Sequence, residues 1–148
     1  MRYTFIYSIL ALILSSCSTY SENELATFDT EIQSYLTKND LNYKKSTSGL
    51  YYNILKKGEG QFIQLSDSVS FTYTGRLLDK TIFDRQKTPI KFAVKDLITG
   101  WKEIIVMNKP GAEVQLILPP NLGYGTHDLD DIPANSILIF DMTILKTY

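Results

Sequence analysis

The chain has 148 residues, 44% hydrophobic and 21% charged, which suits one globular domain with a terminal extension and is short for two. Fifteen basic residues stand against sixteen acidic ones, with no basic cluster longer than Lys56-Lys57, so the footprint of a nucleic-acid partner is missing. One His and one Cys exclude a Cys/His zinc site and any Cys-His or Ser-His pair that does not use His127, and neither a metal nor a cofactor is expected. Ten Tyr and seven Phe instead favour a β-rich core and an aromatic binding surface.

In chain order, Met1 to Ser16 carries one positive charge, Arg2, then an apolar run through Leu14 and the small pair Ser15-Ser16. This is signal-peptide layout, and the run falls short of the roughly 20 residues that cross a bilayer core. Leu14-Ser15-Ser16-Cys17 resembles the bacterial lipobox, which makes Cys17 the expected lipid attachment site and the membrane a partner through that anchor. Ser18 rather than Asp follows Cys17, so a periplasm-facing outer membrane is favoured over the inner one.

Ser21-Glu22-Asn23-Glu24 reads as a capping box opening an amphipathic helix over Leu25 to Asn39, with Leu25, Phe28, Ile32, Tyr35 and Leu36 as its stripe. Docking on its own domain is preferred to a dimer interface because the stripe is only about three turns long, and a monomer is expected. From Thr47 the period becomes two, with Leu50, Tyr52 and Ile54 alternating with Tyr51, Asn53 and Leu55, and Val69, Phe71, Tyr73 and Leu77 share one face of a longer strand. Lys91 to Val94 reads as a short strand. Asp96 or Thr99 can cap a brief helix holding Trp101, Ile104 and Ile105, which ends near Pro110-Gly111. Strands over Val114 to Leu118 and Ile137 to Met142 follow, separated by a loop over 119–135 long enough to be functional. The pattern gives an α+β fold: an antiparallel five- to six-stranded half-barrel sheet around one short helix, preceded by the amphipathic helix. Residues 1–16 are assigned to the signal peptide, 17–46 to anchor, linker and helix, and 47–148 to the domain.

Tyr73-Thr74-Gly75, Phe83-Asp84, Gly100-Trp101, Pro119 with Gly123-Tyr124-Gly125, Ile132-Pro133 and Phe140-Asp141 occur in the order and approximate spacing of the FKBP domain. The chain resembles that family of peptidyl-prolyl cis-trans isomerases from about Thr47 onward. The resemblance implies X-Pro bond rotation in proline-containing polypeptides of the cell envelope. It also implies a pocket with catalytic positions at Tyr73, Phe83, Asp84, Trp101, Tyr124 and Phe140, and substrate-binding positions at Ile90, Leu97, Ile98 and Ile132. Tyr73 and Arg85 are the groups expected to hold Asp84. Ile90 stands where relatives commonly carry an aromatic, the loop over 85–88 is short, and Lys80 and Ile104 replace expected glycines. The alternative reading is a non-catalytic tethered chaperone or peptide-binding module using the same pocket.

Overall fold

The structure is a computed structural model that describes residues 20–148; the signal-peptide segment 1–16 and Cys17 lie outside the described residues. Helix α1 (Glu22–Lys38) starts on the expected capping box, with the Glu24 N–H donating to the Ser21 hydroxyl and the Ser21 N–H donating to the Glu24 carboxylate at 2.8 Å. Two orphan donors of the first turn are thereby satisfied. Asn39 ends the helix as its C-cap.

Strand β1 (Lys44–Lys45) pairs with β2 (Tyr51–Lys56), and β3 (Ser68–Leu77), β4 (Ile82–Ala93), β5 (Glu113–Leu118) and β6 (Leu138–Thr147) complete a six-stranded sheet. Its order is β1-β2-β5-β6-β3-β4 with every neighbouring pair antiparallel. Helix α2 (Thr99–Val106) is held on one face, where Trp101, Ile104 and Ile105 join Phe71, Leu116, Leu118, Phe140 and Ile144 in the main core. Ile104, in the place of an expected glycine, is fully buried there, so the change affects helix packing.

On the opposite face α1 buries Ile32 and Leu36 against Tyr51, Ile117, Ile137 and Ile139. Each such side chain contributes about 1.5–3 kcal/mol by leaving water. The helix therefore docks on its own domain. Covering both faces also explains why β5 and β6 depart from strict alternation: Leu116, Ile117 and Leu118 are consecutive and all buried.

A polar cluster fixes the orientation of α1. The Asp29 carboxylate accepts from the Tyr51 hydroxyl at 2.7 Å and pairs with the Lys45 ammonium at 2.5 Å. Burial alone would raise the Asp29 pKa, but Lys45 and Tyr51 outweigh it and hold the group below its ordinary value. A lowered carboxyl pKa contributes stability that is present above the unfolded value and lost as pH falls through the folded one. Asp29→Asn is thus expected to cost up to about 1 kcal/mol at neutral pH, given the partial exposure of the pair, and progressively less in acid as the carboxylate is protonated. Denaturant unfolding of both proteins at neutral and acid pH measures it.

Two local expectations are corrected. Lys91 to Ala93 of the expected short strand and the loop over 85–88 belong to one twelve-residue edge strand, β4, and Val94 already opens the 3-10 turn that follows. Tyr73 opposes Gln86 whereas Phe71 opposes Ile90, so Lys87-Thr88-Pro89 form a bulge. An edge strand tolerates both the bulge and Pro89, because its outer side has no ladder to complete. Neither Asp96 nor Thr99 caps α2: Asp96 lies in a 3-10 turn (Val94–Asp96), Thr99 is the first helical residue, and Ile98 occupies the cap without a side-chain bond. In the β3–β4 hairpin, Lys80 holds a φ of +74° where a glycine is common. The left-handed conformation costs about 1–2 kcal/mol, offset in part by the bond from its N–H to the Leu77 carbonyl.

Candidate functional site

Strand β3 puts Phe71, Tyr73 and Gly75 on the face toward α2, and α2 aims Trp101 at them. The indole meets Tyr73, Phe140 and Phe71 edge-to-face at ring separations of 4.8, 5.0 and 5.2 Å. Phe83 meets Phe140 the same way at 5.6 Å. Such pairs add about 0.5–1.5 kcal/mol beyond burial and fix ring orientation. Trp101 is 7% exposed, and its Nε1 has no hydrogen-bond partner among the described residues.

Phe83 and Asp84 are consecutive, and an ordinary strand would send them to opposite faces. A bulge resolves this: Gly75 opposes Asp84 while Arg76 opposes Ile82, leaving Phe83 as the extra residue. Both side chains consequently line one cavity of about 430 Å³ with Tyr124, Leu129 and Ile132. Gly75 makes room for the arrangement. A Cβ there would sit 2.5 Å from the Phe83 ring and 2.8 Å from that of Phe140.

Of the ten expected pocket positions, Phe83, Asp84, Tyr124 and Ile132 line this cavity, and Tyr73, Trp101 and Phe140 meet in the ring cluster beside it. Tyr73, Phe83, Ile90, Leu97, Ile98, Trp101, Ile132 and Phe140 belong to the main apolar cluster. Asp84 and Tyr124 stand at the mouth. The Tyr73 hydroxyl donates to the Asp84 carboxylate. Burial, then that bond and the Asp84 charge, push the Tyr73 phenol well above its ordinary range. Burial and the same charge raise Tyr124. Both phenols therefore remain protonated donors at neutral pH. The Ile98 N–H has no acceptor among the described residues.

Arg85 is not a partner of Asp84. It follows Asp84 in regular alternation opposite Thr74, and faces a groove with Thr72 and Asp141 on the other side of the sheet. There Arg76 pairs with Asp141, which also accepts from Gln115 at 2.9 Å.

Several residues escaped the sequence reading. Phe71, read only as part of a strand's buried face, lies against the indole edge. Asp128, Asp130 and Asp131 line the mouth beside Asp84, giving it a negative rim. Leu129 and Ile132 exchange backbone bonds across a tight turn, which sends Ile132 inward while Asp130 and Asp131 occupy the tip. His127 Nδ1 lies 2.8 Å from the Tyr124 carbonyl and braces the loop holding that phenol. Ile132-Pro133 was the one usable signal for this turn.

An antiparallel sheet, a short covering helix and an aromatic cleft between them define an α+β domain of one recognisable class. The sequence profile of FKBP-type peptidyl-prolyl cis-trans isomerases matches residues 59–145, and the chain belongs to that family. It is similar to the FKBP-type isomerase FkpA of Buchnera aphidicola from Schizaphis graminum, 45% identical over 105 residues covering 68% of this chain and 42% of that protein. Against Escherichia coli K12 FkpA the identity is 33% over 140 residues, 91% of this chain and 52% of the relative. The chain thus spans about half the length of these curated relatives. The crystal structure of Escherichia coli FkpA superposes with a TM-score of 0.73 at 32% identity, covering 85% of this chain and 62% of that one. A Pseudomonas syringae isomerase structure, with a TM-score of 0.71 at 23% identity, shares the fold.

Proposed function

We propose that the chain accelerates cis-trans rotation of X-Pro bonds in exported or envelope polypeptides. The observation that carries this reading is the edge-to-face ring of Trp101, Tyr73, Phe83 and Phe140 with Asp84 and Tyr124 at its mouth. Rotation about an X-Pro bond faces a barrier of about 18–20 kcal/mol because the C–N bond has partial double-bond character. No bond has to break. The twisted transition state has lost amide resonance and holds a less polar carbonyl, so a dry apolar cleft binds it better than the planar, hydrated ground state.

In this reading Trp101 is the floor under the prolyl ring, Phe83, Ile132 and Phe140 are its walls, and Ile90, Leu97 and Ile98 form the rim. The Tyr124 hydroxyl and the Ile98 N–H donate to substrate carbonyls. Asp84, oriented by Tyr73, faces the amide carbonyl carbon. A protease-coupled or NMR exchange assay on an X-Pro tetrapeptide tests these roles. Asp84→Ala and Tyr73→Phe are each expected to lower kcat/KM by about tenfold, equivalent to roughly 1.4 kcal/mol of transition-state stabilisation. Unchanged rates in both variants would remove the polar edge from the mechanism.

Ile90 in the rim and the absence of Arg85 from the Asp84 side favour a second reading, a tethered peptide-binding module without catalysis. Peptide binding with no rate acceleration in the wild type would select it.

The anchor reading rests on Leu14 to Cys17. Tyr20, 4% exposed, donates its hydroxyl to Asn135 at 2.7 Å and packs edge-to-face on Phe28, so the chain is fixed to the domain three residues after Cys17. At about 3.3–3.6 Å per residue, a lipid on Cys17 lies within roughly 11 Å of the Tyr20 backbone. The domain then works at the membrane surface. Cys17→Ser is expected to move the protein from the membrane to the soluble fraction; retention with membranes would place the anchor elsewhere.

A further inference from the structure

A larger cavity, about 750 Å³, adjoins the cleft between the first turn of α1 and the loop that carries Tyr124. Leu25 and Tyr20 form one bank, and Pro120, Tyr124 and Leu129 the other. Tyr124 and Leu129 line this groove and the cleft beside Asp84 alike, so the two concavities share a wall. Both shared side chains are prominent at the surface, 37% and 43% exposed.

The groove is held in shape. Gly123 and Gly125 both donate to the Pro120 carbonyl, Asn135 donates to the Gly125 carbonyl at 2.8 Å, and Asn135 accepts from Tyr20. The N-terminal helix is therefore tied to the loop that displays Tyr124 as well as to the sheet.

We propose that this groove is an extended substrate subsite that takes an apolar side chain of the same polypeptide whose proline occupies the cleft. The proposal rests on the isomerase reading and adds to it the substrate class, an extended hydrophobic segment. Continuity argues for that occupant. A chain leaving the cleft past Tyr124 and Leu129 enters the groove directly, because both side chains line the two concavities, and a peptide longer than the cleft extends along it toward Leu25. The groove offers rings and aliphatic groups to a side chain, and desolvating those surfaces favours an apolar one. The helix so contributes to recognition although it lies outside the matched span 59–145.

Two peptides with the same X-Pro core separate the ideas: a tetrapeptide, which fills the cleft alone, and a dodecapeptide with leucines on both sides of the core. In the wild type, kcat/KM is expected to be several-fold higher for the dodecapeptide. Leu25→Glu, which puts a carboxylate in the groove at a half-buried position of the first helical turn, is expected to abolish that preference. Its loss on the dodecapeptide should exceed its loss on the tetrapeptide at least fivefold. Leu25 and Leu129 methyl resonances of the wild type should both move on titration with the dodecapeptide. Equal losses on the two peptides, or shifts at Leu129 without Leu25, would overturn the subsite and leave the cleft intact. A wild type inactive on both peptides would overturn the isomerase reading itself. A methyl titration of the wild type keeps the test decisive if Leu25→Glu proves unstable.

Discussion

Trp101→Ala is expected to destabilise the protein by about 3–5 kcal/mol, the usual cost of removing a large buried ring, and to lower isomerase activity by more than tenfold. The side chain is 7% exposed and contacts Phe71, Tyr73 and Phe140 within 5.2 Å. Loss of the indole opens a cavity in the core and, in the proposed reading, removes the floor of the cleft at once. Against a typical domain stability of about 5–15 kcal/mol, the variant is marginal at room temperature. Trp101→Phe separates the two effects. The indole Nε1 has no partner among the described residues, so phenylalanine orphans no acceptor and removes an unsatisfied donor. It should cost clearly less stability than alanine and retain measurable activity. Chemical denaturation alongside the tetrapeptide assay gives both quantities; a Trp101→Ala protein that stays folded with unchanged kcat/KM would end the claim that the indole forms the floor.

Gly75→Ala is expected to be the most damaging single-methyl change in the cleft. The added carbon would lie 2.5 and 2.6 Å from two Phe83 ring atoms and 2.8 Å from Phe140, against an optimum of about 3.5–4.0 Å. Both rings would have to move by roughly 1 Å. Gly75 is not in the left-handed region, so the backbone itself accepts alanine and the penalty is steric. Overpacking of this kind costs about 1–3 kcal/mol. Activity should fall about tenfold or more if Phe83 and Phe140, the rings that move, are the walls proposed for the cleft. The double variant Gly75→Ala with Phe83→Leu should regain stability without regaining activity. If activity returns with stability, the ring of Phe83 does not form the wall assigned to it.

The two predictions mark how far the sequence could be read. Periodicity found α1 and most of the strands because burial on one face repeats at a fixed interval: Leu25 to Leu36 at helical spacing, Val69 to Leu77 at spacing two. It missed the length of β4, whose exposed and polar edge carries no such repeat. Motif order located Tyr73, Asp84, Trp101, Tyr124 and Phe140, since each keeps its place along the chain. It could not assign Arg85, because which face a residue takes depends on the register across a bulge, and the register is set by β3.

By itself, then, the sequence determined the fold class, the cast of aromatic residues and the family to which they point. These follow from local pattern and from residue order. The tertiary structure alone decided that Phe83 and Asp84 share a side, that α1 seals the back of the sheet, and that its first turn joins the Tyr124 loop to enclose a second groove. Each is a matter of bulges, registers and contacts between residues as distant as Tyr20 and Asn135. No window of sequence contains both partners of such a contact, so only the folded chain brings them together.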